Sequence, residues 1–107
     1  MVEQKILEFR TRGRGTIEIT DDVQRAVAAT GIRKGICTVF LQHTSASLIL
    51  CENADPDVRR DLETLLSRLA PVADGRLLLG TWQGLYLYEH RHAGYARSVV
   101  VTVMGER

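Results

Sequence analysis

This chain has few cysteines and no excess of charge of one sign, and each of these two features excludes a class of protein. Cys37 and Cys51 are the only two cysteines, and they lie in apolar segments without a CxxC pair, so we expect buried free thiols rather than a disulfide. The 14 basic residues are balanced by 13 acidic ones. This balance argues against a protein that binds nucleic acid through bulk charge.

Long apolar runs are also absent. No segment reaches the length that spans a bilayer, and the first five residues do not resemble a secretion signal. We therefore expect a cytoplasmic protein with no membrane partner. The length of 107 residues and the hydrophobic content of 45% predict one soluble domain over residues 1–107.

One basic cluster stands out against this even charge. Arg10, Arg12 and Arg14 follow one another at every second position, and Gly13 and Gly15 interrupt them. The pattern favours a solvated turn, with a contact to an anion or to nucleic acid as the alternative.

The first half of the chain reads as strands around a short helix. Residues 6–9 and 16–19 predict two strands that pair across the arginine-rich turn. Thr20 or Asp21 can cap a helix that Gly31 ends. Residues 36–42 predict a strand, in which period two places one set of side chains on the same face: Cys37, Val39, Leu41 and His43.

The second half of the chain predicts another helix and more strands. Asp55 is a good N-cap, Pro56 suits the first helical position, and Pro71 stops the helix. The apolar stripe of this helix is formed by Val58, Leu62, Leu65, Leu66 and Leu69. Residues 85–89 and 98–104 predict a hairpin. The order of elements favours an α+β fold with a two-layer, largely antiparallel sheet.

His43 heads the segment with the densest polar chemistry. It lies where a strand runs into Thr44, Ser45 and Ser47. A histidine that continues an apolar face is often a hydrogen-bonded core residue. The neighbouring hydroxyl groups favour a functional role instead, since neutral imidazole can bind a metal or transfer a proton near neutral pH.

Each of the acidic and basic residues that follow can have either a structural role or a functional role. Asp55 can serve as a helix cap alone, whereas Glu52 and Asn53 gain nothing specific at a strand end. A carboxylate there can hold a divalent metal or act as a general base. Arg59 or Arg60 can bind phosphate oxygens in bidentate fashion, although a solvated helix face explains one of them equally well.

A second dense segment, residues 80–84, brackets Thr81, Trp82 and Gln83 between two glycines. It predicts either a tight turn with Trp82 packed in the core, or a pocket in which Thr81 and Gln83 face a ligand beside the indole. We expect His90 and His92 to be solvated loop residues, with a surface metal site formed together with Glu89 as the alternative.

The segments HTSASLILCENADPDVRRDL and DGRLLLGTWQGLYLYEH resemble the YjbQ-like family, also called secondary thiamine-phosphate synthase enzymes. The resemblance implies an α+β fold: a two-sheet β-sandwich of about seven mostly antiparallel strands with two main helices, assembled as a homotrimer. It also implies a weak activity that joins a pyrimidine diphosphate to a thiazole phosphate to give thiamine phosphate. The alternative is a non-catalytic protein that binds a metal or a metabolite.

Positions that match the family motifs carry the implied site. The catalytic set is His43, Glu52, Asn53 and Asp55. The substrate-binding set is Thr44, Ser45, Arg59, Arg60, Thr81, Trp82 and Gln83. His43 is also the implied ligand of a divalent metal, zinc or magnesium. The expected partners are further copies of the chain and a phosphorylated small molecule, without nucleic acid.

One departure from the family pattern is visible. Family members carry a polar segment with a further histidine, then another strand, before the DGRL strand. Here only residues 70–75 join Leu69 to Arg76. Either the chain is naturally shortened or the sequence lacks residues, and the Pro71–Val72 junction, which resembles a splice of two family positions, favours the second explanation. Without that segment, the second histidine is missing.

Overall fold

The computed structural model describes residues 1–52 and 67–107 of the chain. In chain order its elements are β1 (Val2–Arg10), β2 (Gly15–Glu18), α1 (Thr20–Thr30), β3 (Lys34–Leu41), β4 (Ala46–Glu52), β5 (Ser67–Ala73), β6 (Arg76–Leu77), β7 (Gln83–Glu89) and β8 (Ala96–Glu106).

The strands form two sheets. One has five strands in the order β1-β8-β3-β5-β6, and the other has three in the order β2-β7-β4. Every strand pair is antiparallel. The prediction of an α+β fold with a largely antiparallel, two-layer sheet is therefore confirmed.

The core lies between the two sheets and α1. In β3 the alternate side chains of Cys37, Val39 and Leu41 are buried, while Ile36 and Phe40 are exposed, as the period of two predicts. Apolar side chains from β8, β4 and α1 complete this core: Val99, Val101, Val103, Leu48, Val23 and Val27. Both cysteines are buried, and neither is part of a disulfide in the described residues, as expected.

Helix α1 begins and ends for different reasons. Gly31 ends it with a φ of 73°, in the left-handed region that favours glycine, as predicted. The predicted side-chain cap is wrong, because Ile19 occupies the N-cap position without a capping hydrogen bond. The hydroxyl group of Thr20 instead donates to the Glu18 carboxylate and accepts a hydrogen bond from the Leu85 amide.

No helix in the described ranges is long and apolar enough to cross a membrane.

Two predicted strand pairings are wrong. Strand β1 pairs with β8 rather than β2, and β7 pairs with β2 and β4 rather than β8. Residues 11–14 and 90–95 therefore each cross from one sheet to the other. Neighbouring strands often pair, but here Thr11 and Glu89 at the two crossings are bonded to each other in the interior, which holds the strands on opposite sheets.

The prediction that Leu69 continues a helical stripe and that Pro71 ends the helix is also wrong. Both residues lie in β5, where Leu69 stands opposite Thr38 and Pro71 opposite Ile36. The local preference for a helix is overridden by strand formation here, because hydrogen bonds to β3 satisfy the backbone of this segment. A turn at Asp74 and Gly75, with φ values of 53° and 76°, leads into β6. The described residues thus contain one main helix instead of two, and the rest of the predicted second helix falls on residues outside them.

Candidate functional site

A buried ion pair lies at one end of the sandwich. Glu89 ends β7 and Arg97 lies near the start of β8, and their exposed fractions are only 1% and 3%. The guanidinium donates from Nε to Oε1 of Glu89 at 2.9 Å and from Nη2 to Oε2. Because the two strands belong to different sheets, this bidentate pair joins the sheets through charge-assisted hydrogen bonds.

Three neighbours also contact this pair. Thr11 donates its hydroxyl to Oε1 of Glu89 at 2.6 Å, and Ser45 accepts from Nη2 of Arg97 at 2.8 Å. The ring of Tyr95 lies under the guanidinium at 5.0 Å. Burial alone would raise the pKa of Glu89, but the hydrogen bonds from Arg97, Thr11 and the Arg91 amide outweigh it and lower the pKa to about 2.

His43 borders this network on the β3 side. Its Nε2 accepts a hydrogen bond from the amide of Ser98 at 3.1 Å, and the ring is half-buried. A neutral ring whose Nε2 accepts carries its proton on Nδ1. Within the described residues Nδ1 has no hydrogen-bond partner, so it is the ring atom that remains available to a ligand.

His90 is the second imidazole at this end, and the expectation that it is solvated is wrong. Its Nε2 is hydrogen-bonded to Oγ of Ser47 at 2.9 Å, and its ring stacks on Tyr88 with centroids 4.5 Å apart. Ser47 is 1% exposed. Burial and the charge of Arg14 lower the pKa of His90, although Glu89 opposes them. His90 is therefore neutral at pH 7 and competent to accept a proton, whereas His92 is exposed, as expected.

The predicted residues of segment 80–84 lie at the other end of β7. Gln83 stands opposite Glu52 in the β4–β7 ladder. Its Oε1 accepts from the amide of Gly80 at 2.7 Å, so the side chain closes the turn. Trp82 is 75% exposed, so the alternative that packs its indole in the core is wrong.

Within one chain the predicted site residues are therefore divided. Ala46 stands opposite Glu89 and Glu52 opposite Gln83, so His43, Thr44 and Ser45 lie at one end of the β4–β7 ladder. Thr81, Trp82 and Gln83 lie at the other end, and six residue steps separate the two by about 20 Å. The predicted residues Asn53, Asp55, Arg59 and Arg60 lie outside the described residues.

The expectation that the site binds a metal can be compared with the side chains that could act as metal ligands in the described residues. No three histidine, cysteine or acidic side chains converge there to hold a metal ion. Nε2 of His43 accepts from the Ser98 amide, so Nδ1 carries the ring proton, and either the Ser98 hydrogen bond or this tautomer would have to change before the ring could bind a metal. The described residues alone thus do not make a metal centre, and metal binding at His43 stays a prediction.

The sequence of the chain matches one family of known proteins. The family model described as UPF0047 protein YjbQ-like matches residues 5–74 and 67–106. The chain therefore belongs to the YjbQ-like family. A UPF0047 protein of Synechocystis is 37% identical, with 96% of this chain and 92% of the relative covered. The YjbQ protein of Escherichia coli O157:H7 is 33% identical, with coverage of 96% and 98%.

Solved structures agree on the fold. An uncharacterised conserved protein of the YjbQ/UPF0047 family from Clostridium acetobutylicum is 29% identical and superimposes with a TM-score of 0.77, covering 92% of this chain and 99% of that one. A YbjQ-like protein of unknown function from Sulfolobus solfataricus reaches a TM-score of 0.81 at 21% identity, covering 99% of this chain and 100% of that one.

The alignments also locate an internal difference from the family. The Synechocystis alignment runs over 135 residues although this chain has 107, so it contains positions that the chain lacks. The two family-model matches overlap at residues 67–74, which is the position of the predicted departure. Strand β5, Ser67–Ala73, forms at this overlap. The Pro71–Val72 junction is therefore part of one continuous strand.

Sequence reasoning missed the buried pair. Arg97 shares its face of β8 with Val99, Val101 and Val103, all buried. An arginine at the head of an apolar period-two face is a signal that a buried acid must lie nearby. The partner could not be chosen from the sequence, because it depends on β7 and β8 lying in different sheets.

Proposed function

We propose that the chain is a small trimeric enzyme that acts on a phosphorylated small molecule, with thiamine-phosphate synthase-type transfer as its reaction. The observation that carries the proposal is the buried network of Glu89 and Arg97, which holds Ser45 directly. His43 and His90 border it as imidazoles with fixed hydrogen-bond partners. Pre-organised polar groups at the edge of an apolar core are typical of a reaction site.

The reaction makes simple demands on the protein. The bond between the pyrimidine methylene carbon and the diphosphate oxygen breaks, pyrophosphate leaves with the electron pair, and the thiazole nitrogen forms the new carbon–nitrogen bond. Charge builds on the departing pyrophosphate and must be met by cationic groups. In our proposal His43 binds a divalent metal or transfers a proton, Glu52 and Asp55 hold metal or act as base, and Arg59 or Arg60 neutralises the leaving group.

Assembly of the chain as a homotrimer belongs to the same proposal. The outer side of the five-stranded sheet presents exposed apolar side chains, 44–64% accessible: Val2, Ile6, Ile36, Phe40, Leu69 and Met104. A contiguous apolar surface of this kind is typical of a protein interface. Further copies packed on it would also offer a way to bring the other end of the β4–β7 ladder, with Glu52, Thr81, Trp82 and Gln83 of one chain, near His43 of another.

A non-catalytic protein that binds a metal or a metabolite is the second candidate. The internal stretch that this chain lacks relative to its family favours it, because the implied second histidine falls in that stretch. Both candidates use the same residues and differ only in whether a bond is broken.

The test is product formation from the pyrimidine diphosphate and the thiazole phosphate, measured by chromatography. We expect the wild type to form thiamine phosphate and His43→Ala to form none while its assembly state is unchanged. His92→Ala is the matched control, since that histidine is exposed and has no hydrogen bond in the described residues. Wild-type rates in a folded His43→Ala protein would refute the assigned role.

A further inference from the structure

The arginine-rich turn lies directly beside the candidate site. Arg10, Arg12 and Arg14 line an open cleft of about 420 Å³ together with Thr16 and Ile17. All three guanidinium groups are exposed, and within the described residues none of them forms an ion pair or a hydrogen bond. Three cations that have no partner in residues 1–52 and 67–107 and lie on one turn are a local concentration of positive charge in a chain whose net charge is only +1.

The backbone of this turn is fixed rather than loosely solvated. Thr11 is buried, and its amide donates to the carbonyl of Tyr95 at 2.8 Å while its hydroxyl accepts from the Tyr95 amide at 2.9 Å. Gly13 has a φ of 122°, and a Cβ atom there would lie 2.7 Å from the carbonyl oxygen of His92. Glycine is required at this position, and the turn is pinned against residues 90–95.

The register of the sheet places the turn next to His90. Gly15 stands opposite Glu89 at the end of the β2–β7 ladder, directly after Arg14 and directly before His90 in their segments, and the charge of Arg14 acts on the His90 ring. On the other side the His90 amide donates to the carbonyl of Ser45 at 3.1 Å. Glu89, the buried acid of the described residues, is already paired with Arg97 and is therefore not available to the three guanidinium groups.

We propose that the turn at residues 10–15 binds the diphosphate group of a phosphorylated small molecule through Arg10, Arg12 and Arg14. Guanidinium groups bind phosphate oxygens in bidentate fashion, and several closely spaced ones match a group with several closely spaced negative charges. The identification of that molecule as the substrate rests on the proposed function. The anion binding itself does not, because it is measured without turnover.

The test uses inorganic pyrophosphate as the probe, in calorimetric titrations of the full chain in the presence of EDTA. We expect Arg12→Gln/Arg14→Gln to weaken pyrophosphate binding by at least about tenfold, because the double variant removes two guanidinium groups that can form charge-assisted hydrogen bonds with the anion. The matched control is Arg33→Gln, which removes an equally exposed guanidinium near Asp74. It should bind pyrophosphate like the wild type.

The outcomes separate this site from the proposed reaction. Equal binding by the double variant and the wild type, an equal loss in Arg33→Gln, or tighter binding of a short single-stranded RNA than of pyrophosphate would overturn the inference. Loss of binding confined to the double variant supports it even if the wild type forms no thiamine phosphate, which would refute only the proposed function. The unfolding midpoint of each variant controls for folding.

Discussion

Arg97 and Glu89 form a buried bidentate ion pair across the two sheets, and this pair connects the fold with the candidate site. Arg97 lies in the five-stranded sheet and Glu89 in the three-stranded sheet. Ser45, which follows the His43 segment, is bonded to the same guanidinium. A change at either residue of the pair should therefore affect both stability and the geometry of the site.

Removing one partner of this pair should be strongly destabilising. We expect Arg97→Met to lower the free energy of unfolding by about 3–5 kcal/mol, because it leaves the Glu89 carboxylate buried without its cation. Urea unfolding monitored by circular dichroism measures the change. Arg25→Ala is the control, since Arg25 and Asp22 form an exposed pair worth about 0.5 kcal/mol or less. Similar losses in both variants would contradict the account.

The same pair predicts a dependence of stability on pH. The pKa of Glu89 falls from 4.5 to about 2 on folding, so the unfolded chain binds more protons between these values. The stability from this carboxylate is complete above pH 4.5 and is lost as the pH falls towards 2, by roughly 3 kcal/mol. Glu89→Gln/Arg97→Met should lose this part of the acid dependence. An acid limb of equal depth in that double variant would show that other groups cause it.

His90 should titrate below the ordinary range of histidine. Burial and then the charge of Arg14 lower its pKa from 6.5, so the neutral form of the ring should predominate at pH 6.5 and above. NMR titration of the ring protons measures the pKa directly. Arg14→Gln should raise it, while Arg33→Gln should leave it unchanged. A wild-type pKa at or above 6.5 would contradict the described environment.

A substitution at Leu69 tests whether this side chain lies on the exposed apolar face of a strand, as in the structure, or in the core. In β5 it is 64% exposed on the apolar outer face of the sheet. We expect Leu69→Lys to dissociate the proposed homotrimer while leaving the chain folded, because a charge would be costly in the proposed interface. Analytical ultracentrifugation with circular dichroism measures both effects. Ala28→Lys, on the exposed side of α1, should change neither. Unfolding of Leu69→Lys would instead indicate a core position.

The features of the fold that were predicted correctly from the sequence are those that depend on short-range patterns. The faces of β3 and the end of α1 at Gly31 follow from a period of two and from the freedom of glycine at positive φ. The partners of β1 and β7 could not be predicted, because they depend on the contact of Thr11 with Glu89, 78 residues apart. Leu69 was placed wrongly because its helical spacing is local and its pairing with β3 is not.

The candidate site was predicted in the same uneven way. His43 and Ser45 were predicted from the polar residues that follow a strand there, and the structure places Ser45 against Arg97. His90 was expected to be solvated, because its spacing does not show that β4 brings Ser47 within 2.9 Å of its ring. The separation of Thr81, Trp82 and Gln83 from His43 depends on the length of the β4–β7 ladder, which no motif encodes.

The internal difference from the family makes its own prediction. Electrospray mass spectrometry of the purified chain should give 12.0 kDa if the 107-residue sequence is the whole molecule. A mass a few kilodaltons higher would mean that a stretch of family length is present, with its histidine. The lower mass would favour the binding candidate, since the implied second histidine is then absent.

The most direct test of the central claim is to record thiamine phosphate formation and thermal stabilisation in the same samples. The wild-type protein is incubated with the pyrimidine diphosphate and the thiazole phosphate, and product and unfolding midpoint are both measured. The account predicts a higher midpoint together with product that increases with time. A higher midpoint without any product would contradict the catalytic claim and leave a protein that binds phosphorylated molecules without converting them.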